Sequence, residues 1–188
     1  IAKSVKKKNP LVVSMAAGLT TDSIKEMLGY DAKIIRIMPN VSAAIAMSTT
    51  AVCKNEFASD EDLATIKNLF SSIGLTTEVP ENQFAIFTAI AGCSPAYVYM
   101  FIDGLARGAQ KMGMNKQKAL EIAASAVIGS ASMYAQSNEH PQELVDKVCS
   151  PGGTTIEGVT TLEEYKFTAG VVKAVENSIL KDRELSKK

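Results

Sequence analysis

Residues 149–158 of the chain read CSPGGTTIEG and separate two apolar segments. The residue before a proline is pushed out of the α region, so Ser150 is predicted to be extended or in a turn. The two glycines that follow lack a Cβ, so the backbone can turn sharply and a ligand can approach it closely. The two threonines after them are good helix N-cap residues, and the apolar pattern then resumes. The stretch therefore predicts a tight turn that opens a helix.

Such a turn is also a candidate binding site for a carboxylate or a phosphate. The start of a helix presents free backbone N–H groups and the positive end of the helix dipole. A threonine hydroxyl at the same place can donate a hydrogen bond to a substrate atom. The residues alone leave a second interpretation open, in which the stretch is an ordinary interhelical turn and a threonine only caps the helix.

Size, charge and cysteine content narrow the class of protein. The chain has 188 residues, enough for one large domain or two small ones, with 20 basic and 20 acidic residues. This balance gives no sign of a nucleic-acid or membrane-surface partner. Cys53, Cys93 and Cys149 are widely spaced and form neither a metal-binding pattern nor a disulfide framework. We therefore expect no metal site, reduced thiols and a cytoplasmic protein.

Residues 83–102 carry no charge and have about the length of a membrane span. The sequence GCSP at residues 92–95 breaks this run, and polar side chains interrupt it elsewhere. The segment therefore predicts two buried helices joined by a tight turn, and no membrane segment.

The first part of the chain alternates apolar runs with short helical patterns, as α/β sheets do. Helices are predicted from Thr21, as the N-cap, to Leu28, and from Ser59 to Gly74. The predicted strands cover residues 11–17, 33–38, 48–54 and 76–79. The spacing predicts a parallel α/β sheet.

From residue 82 onward every predicted element is a helix. The predicted helices cover residues 82–91, 94–112, 115–136, 141–148 and a last helix around 167–179. Between Ala119 and Gln136 only Glu121 is charged. A helix that is apolar nearly all round should be buried nearly all round, and a small domain cannot cover it alone. The pattern predicts a partner subunit and two domains, residues 1–81 and 82–188.

Motifs along nearly the whole chain carry a family resemblance. They are HPQELVDKVCSPGGTT at residues 140–155, GCSPAY at residues 92–97, AAG at residues 16–18 and RIMPN at residues 36–40. In order and spacing they resemble the signature of the pyrroline-5-carboxylate reductases.

The resemblance implies a fold and an activity. The fold is a partial Rossmann-type NAD(P)-binding domain with a parallel sheet, followed by an all-helical domain that interlocks with its twin in a homodimer or a higher oligomer. The activity is reduction of 1-pyrroline-5-carboxylate to L-proline by hydride transfer from NADPH or NADH, the last step of proline biosynthesis.

The family's phosphate-binding fingerprint is missing from the chain. No Gly-x-Gly-x-x-Gly occurs in the 188 residues, although the family carries it in the first βαβ unit. We therefore expect the chain to be a piece that begins inside the nucleotide-binding domain. By itself it should be inactive and bind dinucleotide poorly.

The resemblance also assigns site residues. It gives the catalytic role to Thr155, whose hydroxyl would hydrogen-bond or relay a proton to the ring nitrogen of the substrate. It assigns the rest of the substrate contacts to Ser150, Gly152, Gly153, Thr154 and Ser94. It assigns the nicotinamide end of the cofactor to residues that follow two strands, where such ligands bind in α/β sheets; these are Met15, Ala16, Ala17 and Asn40.

Two other features are interpreted structurally. His140, the single histidine, directly precedes Pro141 and is predicted to start a helix rather than to act as a general base. Asp103, Arg107 and Lys111 follow one another at four-residue steps, which predicts a solvated or subunit-facing helix edge.

Two other functions stay open at the level of the sequence. One is another two-domain NAD(P)-dependent dehydrogenase with a helical C-terminal domain, such as a hydroxyacid dehydrogenase. Those enzymes generally use a catalytic lysine, and no lysine here lies in a matching motif. The other is a non-catalytic helical dimerisation module. The apolar helix at residues 115–136 predicts dimerisation under every one of these functions.

Overall fold

The first part of the chain forms a four-stranded sheet. The structure is a computed structural model that describes residues 6–185. The strands lie in the order β1-β2-β3-β4, and they are β1 (Val12–Ser14), β2 (Ile34–Met38), β3 (Ser48–Lys54) and β4 (Gly74–Glu78). β1 runs parallel to β2, and β3 runs parallel to β4. The four predicted strands are confirmed, but β1 covers only three of the seven residues predicted for it, and the other three differ by at most small shifts at their ends.

The prediction of an all-parallel sheet is wrong for one pair of strands, because β2 and β3 are antiparallel. The chain between them contains only a 3₁₀ turn, Val41–Ile45, and Ala46 in the left-handed conformation. A parallel connection needs a crossover of roughly a dozen residues or more, usually a helix. This connection is too short for that, so β3 returns alongside β2.

Two helices cross over between the parallel pairs, α1 (Thr21–Leu28) and α2 (Asp60–Ser71). The N-cap of α1 is Thr20 rather than Thr21, because the Thr20 side chain accepts a hydrogen bond from the Ser23 N–H. Ser59 caps α2 as predicted, in a capping box with Asp62. A backbone N–H and the hydroxyl of Ser59, together with Lys33, lower the pKa of the Asp62 carboxyl.

Apolar side chains cover both faces of the sheet. Alternate residues of a strand point to opposite faces, so β2 and β3 contribute to two cores. One core lies under α2 and contains Ile35, Ile37, Val52, Ala58, Leu63 and Ile66. The other contains Ala51, Cys53, Phe84, Phe87 and Ala91, so the chain after β4 packs back onto the sheet.

The predicted break between two helices at residues 92–95 is wrong. The chain runs through α3 (Phe84–Phe87) and a π-helical segment, Thr88–Cys93, directly into α4 (Ser94–Lys111). Ser94 has helical backbone angles, φ −59° and ψ −27°. Proline lacks an N–H and clashes with an α-helical turn, and the wider π turn absorbs this conflict without breaking the helix.

The rest of the chain is helical, as predicted. The helices are α5 (Lys116–Gln136), α6 (Pro141–Val148), α7 (Thr154–Glu164) and α8 (Phe167–Leu185). His140 caps α6 through its side chain, which confirms its structural interpretation. By contrast α5 is largely exposed in the single chain, with Ala119 and Ala123 as its buried residues. Contacts within this single chain therefore do not bury α5 as the sequence predicts.

The chain folds into two compact units. One unit runs to Pro95 and includes the chain from Ala174 onward, and the other covers Ala96–Lys173. The domain boundary between residues 81 and 82 stays a prediction. Within residues 6–185, one helical run, Glu81–Lys111, is long and apolar enough to cross a membrane, by length and composition only. Such a helix is weak evidence for a membrane segment, since interface and core helices share this composition.

Candidate active site

The segment at residues 150–153 is a tight turn, as predicted. The Gly153 N–H donates a hydrogen bond to the Ser150 carbonyl at 3.0 Å, which closes a four-residue turn. Gly152 has φ +67°, a left-handed conformation that glycine adopts without strain. Proline at the second position and a left-handed glycine at the third are typical of a type II turn.

Gly153 is the N-cap of α7, with φ −81° and ψ 168°. A Cβ at this position would lie 2.3 Å from the Ser150 hydroxyl and 3.0 Å from the Ser150 carbonyl oxygen. The missing side chain therefore lets the Ser150 side chain fold over the start of the helix. The expectation that a threonine caps this helix is wrong, because both threonines lie inside its first turn.

Thr155 carries the hydroxyl of greatest interest. Its side chain is half-buried, and within residues 6–185 no hydrogen bond to its hydroxyl is formed. The first hydrogen bond of α7 runs from the Glu157 N–H to the Gly153 carbonyl, at 3.5 Å. The earlier amides of the helix have no intrahelical acceptor. Free amides and a free hydroxyl thus lie together, next to the exposed Ser150.

α6 leads into this turn with a well-defined start. His140 Nδ1 accepts a hydrogen bond from the Gln142 N–H at 3.2 Å, and the Glu143 carboxylate accepts one from the His140 N–H at 3.1 Å. Lys147, on the last turn of α6, forms an ion pair with Glu139. These contacts engage the imidazole in capping, and they fix the helix that precedes the turn.

The unit that contains the sheet has its own cavity. It encloses about 410 Å³ between β3, β4 and the helical segment that follows them. Asn40 and Ser94, assigned to cofactor and substrate respectively, both line it. The other lining residues are Thr49, Thr77, Val79, Gln83, Ile86, Phe87, Ile90 and Ala91. The structure thus brings these two predicted site residues together.

Met15, Ala16 and Ala17 follow the carboxyl end of β1, beside the end of β2 with which it pairs. The Ala16 N–H donates to the Ser14 hydroxyl at 3.2 Å, and Met15 is exposed. Gly18 then turns the chain with φ +75°. These residues lie at the edge where α/β sheets bind their ligands.

One polar cluster was not predicted from the sequence. The Glu81 carboxylate accepts hydrogen bonds from the Thr21 N–H at 2.8 Å, the Thr21 hydroxyl at 2.7 Å and Arg36 Nη1 at 3.2 Å. The buried Arg36 guanidinium also lies over the Phe84 ring, 4.5 Å from its centroid. An arginine between isoleucines in a strand is the signal that could have revealed it. The cluster fixes the start of the helical segment against the sheet.

Asp103 lies in an ion-pair cluster on α4. It pairs with Arg107 one turn later and with Lys116 Nζ at 2.8 Å. Hydrogen bonds from Lys116 and Arg107 lower the pKa of the Asp103 carboxyl. The charged helix edge predicted from the four-residue spacing is confirmed for Asp103 and Arg107.

Three free cysteines are present, and no group of metal-ligating side chains occurs among the described residues. Cys53 is buried in the sheet. Burial, and then the negative charge of Glu81, raise the pKa of the Cys53 thiol to about 12.

Comparison with known proteins places these features in a family. Residues 81–185 match a family model described as pyrroline-5-carboxylate reductase dimerisation. The pyrroline-5-carboxylate reductase of Escherichia coli K12 is 44% identical over 180 residues, which cover 96% of this chain and 67% of that protein. The Arabidopsis thaliana enzyme of the same name is 38% identical, covering 98% of this chain and 66% of that protein.

Solved structures agree with these sequence matches. A 1-pyrroline-5-carboxylate reductase from Streptococcus pyogenes matches with a TM-score of 0.88 and 42% identity, over 93% of this chain and 67% of that one. A Plasmodium falciparum pyrroline carboxylate reductase with NADP bound matches with a TM-score of 0.91 and 31% identity, over 99% and 76%. Together with the turn, the sheet and the helices, these matches show that the chain belongs to the pyrroline-5-carboxylate reductase family.

Proposed function

We propose that this protein reduces 1-pyrroline-5-carboxylate to L-proline with NADPH or NADH, in the biosynthesis of proline. The observation that carries the proposal is the Ser-Pro-Gly-Gly-Thr-Thr turn at the start of α7. It presents free amides, an exposed serine and a free threonine hydroxyl in one place. This is the set of donors that a small imine with a carboxylate needs.

The substrate carboxylate binds at the start of α7 in this proposal. Amides without an intrahelical partner and the helix dipole both favour a negative charge there. Ser150 adds a hydroxyl, and the absence of a Cβ at Gly153 leaves room for it. Gly152 and Thr154 contribute backbone groups of the same turn.

Thr155 is the proposed catalytic residue. Its hydroxyl can hydrogen-bond the ring nitrogen of the substrate, where the reduction places electron density and a proton. Because the residue is not the N-cap of α7, its hydroxyl is not needed to satisfy the backbone. Ser94 is a further proposed substrate contact. Its hydroxyl donates to the Ile90 carbonyl at 2.7 Å, so it would act towards a ligand as an acceptor.

The strand ends fit the nicotinamide end of a dinucleotide. Met15 and Ala17 are exposed beyond β1 and Ala16 is partly buried, and the small side chains of the two alanines would leave room for a flat ring. The cofactor supplies the hydride when it is bound. These residues would hold the ring in position and exclude water from one of its faces.

The protein is a homodimer in this proposal. The family model that matches residues 81–185 is named for dimerisation, and α5 exposes an apolar surface that a second copy can cover. The start of that match also supports a domain boundary between residues 81 and 82. Cytoplasmic localisation stays a prediction, supported by the three free thiols.

The test is steady-state reduction of 1-pyrroline-5-carboxylate by the full-length protein and its Thr155→Ala variant. We expect kcat/KM to fall roughly ten- to a thousand-fold, or about 1.4–4 kcal/mol of transition-state stabilisation. Thr155→Ser keeps the hydroxyl and should retain most of the activity. Thr161→Ala is the matched control, since that threonine lies later in α7 and bonds the Glu157 carbonyl.

The outcomes separate the functions. If the wild type is active and the Thr155→Ala variant is equally active, the reductase function stands and Thr155 has no catalytic role. A folded, dimeric wild type without activity would contradict the reductase and favour the dimerisation module.

A further inference from the structure

The Ala91 carbonyl, in the π-helical segment, accepts a hydrogen bond from a side chain outside the helix. In an α-helix the Ala91 carbonyl would accept a hydrogen bond from the N–H of residue 95, and Pro95 has none. Ala91 is buried, and Asn40 Nδ2 donates to its carbonyl at 3.0 Å. A side chain that follows β2 thus makes the hydrogen bond that Pro95 cannot make.

The orientation of the Asn40 amide is fixed by its partners. Asn40 Oδ1 accepts a hydrogen bond from the Thr49 N–H at 3.2 Å. A backbone N–H only donates and a carbonyl only accepts, so one orientation of the amide satisfies both. The Asn40 N–H also donates to the buried Ser48 hydroxyl at 3.3 Å. Asn40 is therefore held on β3 while its amide reaches the helix.

The position of Ser94 depends on this segment. The π turn ends at Cys93, and Ser94 is the first residue of α4. A π turn holds one residue more than an α-helical turn, so its relaxation would rotate the residues beyond it by about 100° around the helix axis. Asn40, Ala91 and Ser94 line the same cavity. A rotation of this size would change which groups face the cavity.

We propose that Asn40 is a positioning residue of the reductase. It holds the π turn in place, and through it Ser94, by donating to the Ala91 carbonyl. The inference rests on the proposed function, because Ser94 acts there as a substrate contact. It differs from the sequence-based prediction for Asn40, which has the residue touch the cofactor.

The test variant is Asn40→Asp in the full-length protein. Aspartate keeps the acceptor for the Thr49 N–H and places a carboxylate oxygen against the Ala91 carbonyl, which removes one bond. We expect kcat/KM for 1-pyrroline-5-carboxylate to fall about ten- to a hundred-fold, since displacement by about 1 Å has such effects. The dissociation constant of NADPH, measured by calorimetry, should stay within roughly two-fold of wild type.

Asn55→Asp is the matched control. Asn55 also bridges backbone groups of the sheet unit, donating to the Ala32 carbonyl at 2.9 Å and accepting from the Ile34 N–H at 3.0 Å. It does not line the cavity. We expect this variant to lose thermal stability as Asn40→Asp does while keeping its kcat/KM.

The Ser94→Ala substitution tests whether Asn40 affects kcat/KM through Ser94. If Asn40 acts through Ser94, Asn40→Asp should lower kcat/KM much less in a Ser94→Ala background than in wild type.

Should Asn40→Asp not fold, Pro95→Ala tests the same bond. It supplies an N–H that competes for the Ala91 carbonyl, and we expect the same loss of kcat/KM with unchanged NADPH binding.

Each contrary result has a distinct meaning. If Asn40→Asp leaves kcat/KM unchanged, or if Asn55→Asp lowers kcat/KM as much as Asn40→Asp does, Asn40 has no positioning role. The proposed reductase function is not affected by either result. A loss of NADPH affinity that matches the loss of kcat/KM makes Asn40 a cofactor contact instead. An inactive wild type removes the proposed function, and this inference with it.

Discussion

Gly153 shows how a single absent side chain shapes the proposed substrate site. Its backbone angles suit any residue, so no conformational rule requires glycine there. The requirement comes from Ser150, whose hydroxyl occupies the space that a Cβ would need. The sequence predicted a turn at this place, whereas the reason for the second glycine became visible only in the structure.

Gly153→Ala should therefore impair substrate binding more than folding. The added methyl group displaces the Ser150 hydroxyl, which can rotate away, and it requires only a slight shift of the Ser150 carbonyl oxygen, 3.0 Å from the new Cβ. Losing one hydrogen bond to the substrate carboxylate should raise KM about ten-fold, with a change in unfolding free energy below about 1 kcal/mol. Steady-state kinetics and urea denaturation measure the two quantities.

Gly158→Ala is the control in the same helix, because no atom lies within 4 Å of the added Cβ. It should leave KM unchanged and stabilise the helix by about 0.5–1 kcal/mol. A Gly153→Ala variant with wild-type KM would remove the Ser150 hydroxyl from the proposed site.

Cys53 gives a pH-dependent prediction at the same scale. Its pKa is about 12 in the folded protein against 9.0 for an unperturbed thiol, because burial disfavours the thiolate. Folding therefore favours the neutral thiol. As the pH rises from 9.0 towards 12, the unfolded chain loses this proton first and is stabilised relative to the folded protein. Unfolding free energy should therefore fall more steeply between these pH values in wild type than in Cys53→Ala.

Chemical denaturation at several pH values measures this difference. Every other ionisable group is the same in both proteins, so comparison of the two slopes isolates the thiol. Equal slopes would mean that Cys53 reaches water in the folded state.

At the scale of the element, the order of strands and helices followed from the sequence, while the direction of β3 did not. Runs of β-branched and apolar residues predict strands irrespective of their neighbours. Whether a strand pairs parallel or antiparallel depends on the length of the connection, and here residues 39–47 hold only a short turn. The π segment was missed because GCSP at residues 92–95 is typical of a break.

Gly74, the first residue of β4, has φ +139°, and a Cβ there would lie 2.2 Å from the Ser48 carbonyl oxygen. The close approach of β4 to β3 thus depends on glycine. Gly74→Ala should lower the unfolding free energy by about 3 kcal/mol or more, because both the backbone angle and the neighbouring backbone oppose it.

Gly29→Ala separates the cost of the backbone angle from the cost of the close contact with neighbouring backbone. Gly29 also has a positive φ, +70°, but no atom lies within 4 Å of an added Cβ. Its substitution should cost only about 1–2 kcal/mol, the penalty of the left-handed conformation. Equal midpoint shifts for the two variants in urea would show that β4 moves away from β3 without cost.

For the whole molecule, the balance of buried and exposed apolar surface points to a second copy. Between Ala91 and residue 185, where the described part of the chain ends, the buried apolar residues are three alanines, Ala106, Ala119 and Ala123. Meanwhile Ile128 is 65% exposed and Met133 is 69% exposed. Large apolar side chains left exposed on a helix with so little buried surface favour a protein–protein interface.

Ile128→Asp should therefore weaken the dimer. A carboxylate in an apolar interface costs about 3 kcal/mol or more, which corresponds to roughly a hundred-fold in the dimer dissociation constant. Light scattering across a dilution series measures the mass, and the thermal midpoint should depend on protein concentration. The control variant Ala64→Asp, on the exposed side of α2, should keep the mass of the dimer. If Ile128→Asp keeps that mass as well, α5 is not part of the interface.

The sequence by itself indicated most of the elements and the family, and it suggested a set of site residues, because periodicity, capping residues and short motifs act over a few neighbouring positions. It located the turn at residues 150–155 and the capping role of His140. Only the tertiary structure decided the antiparallel pairing of β3, the Glu81 cluster, and the bond from Asn40 to Ala91. These join residues that are 51 positions apart in the last case, and such contacts depend on how the whole chain packs rather than on any local pattern.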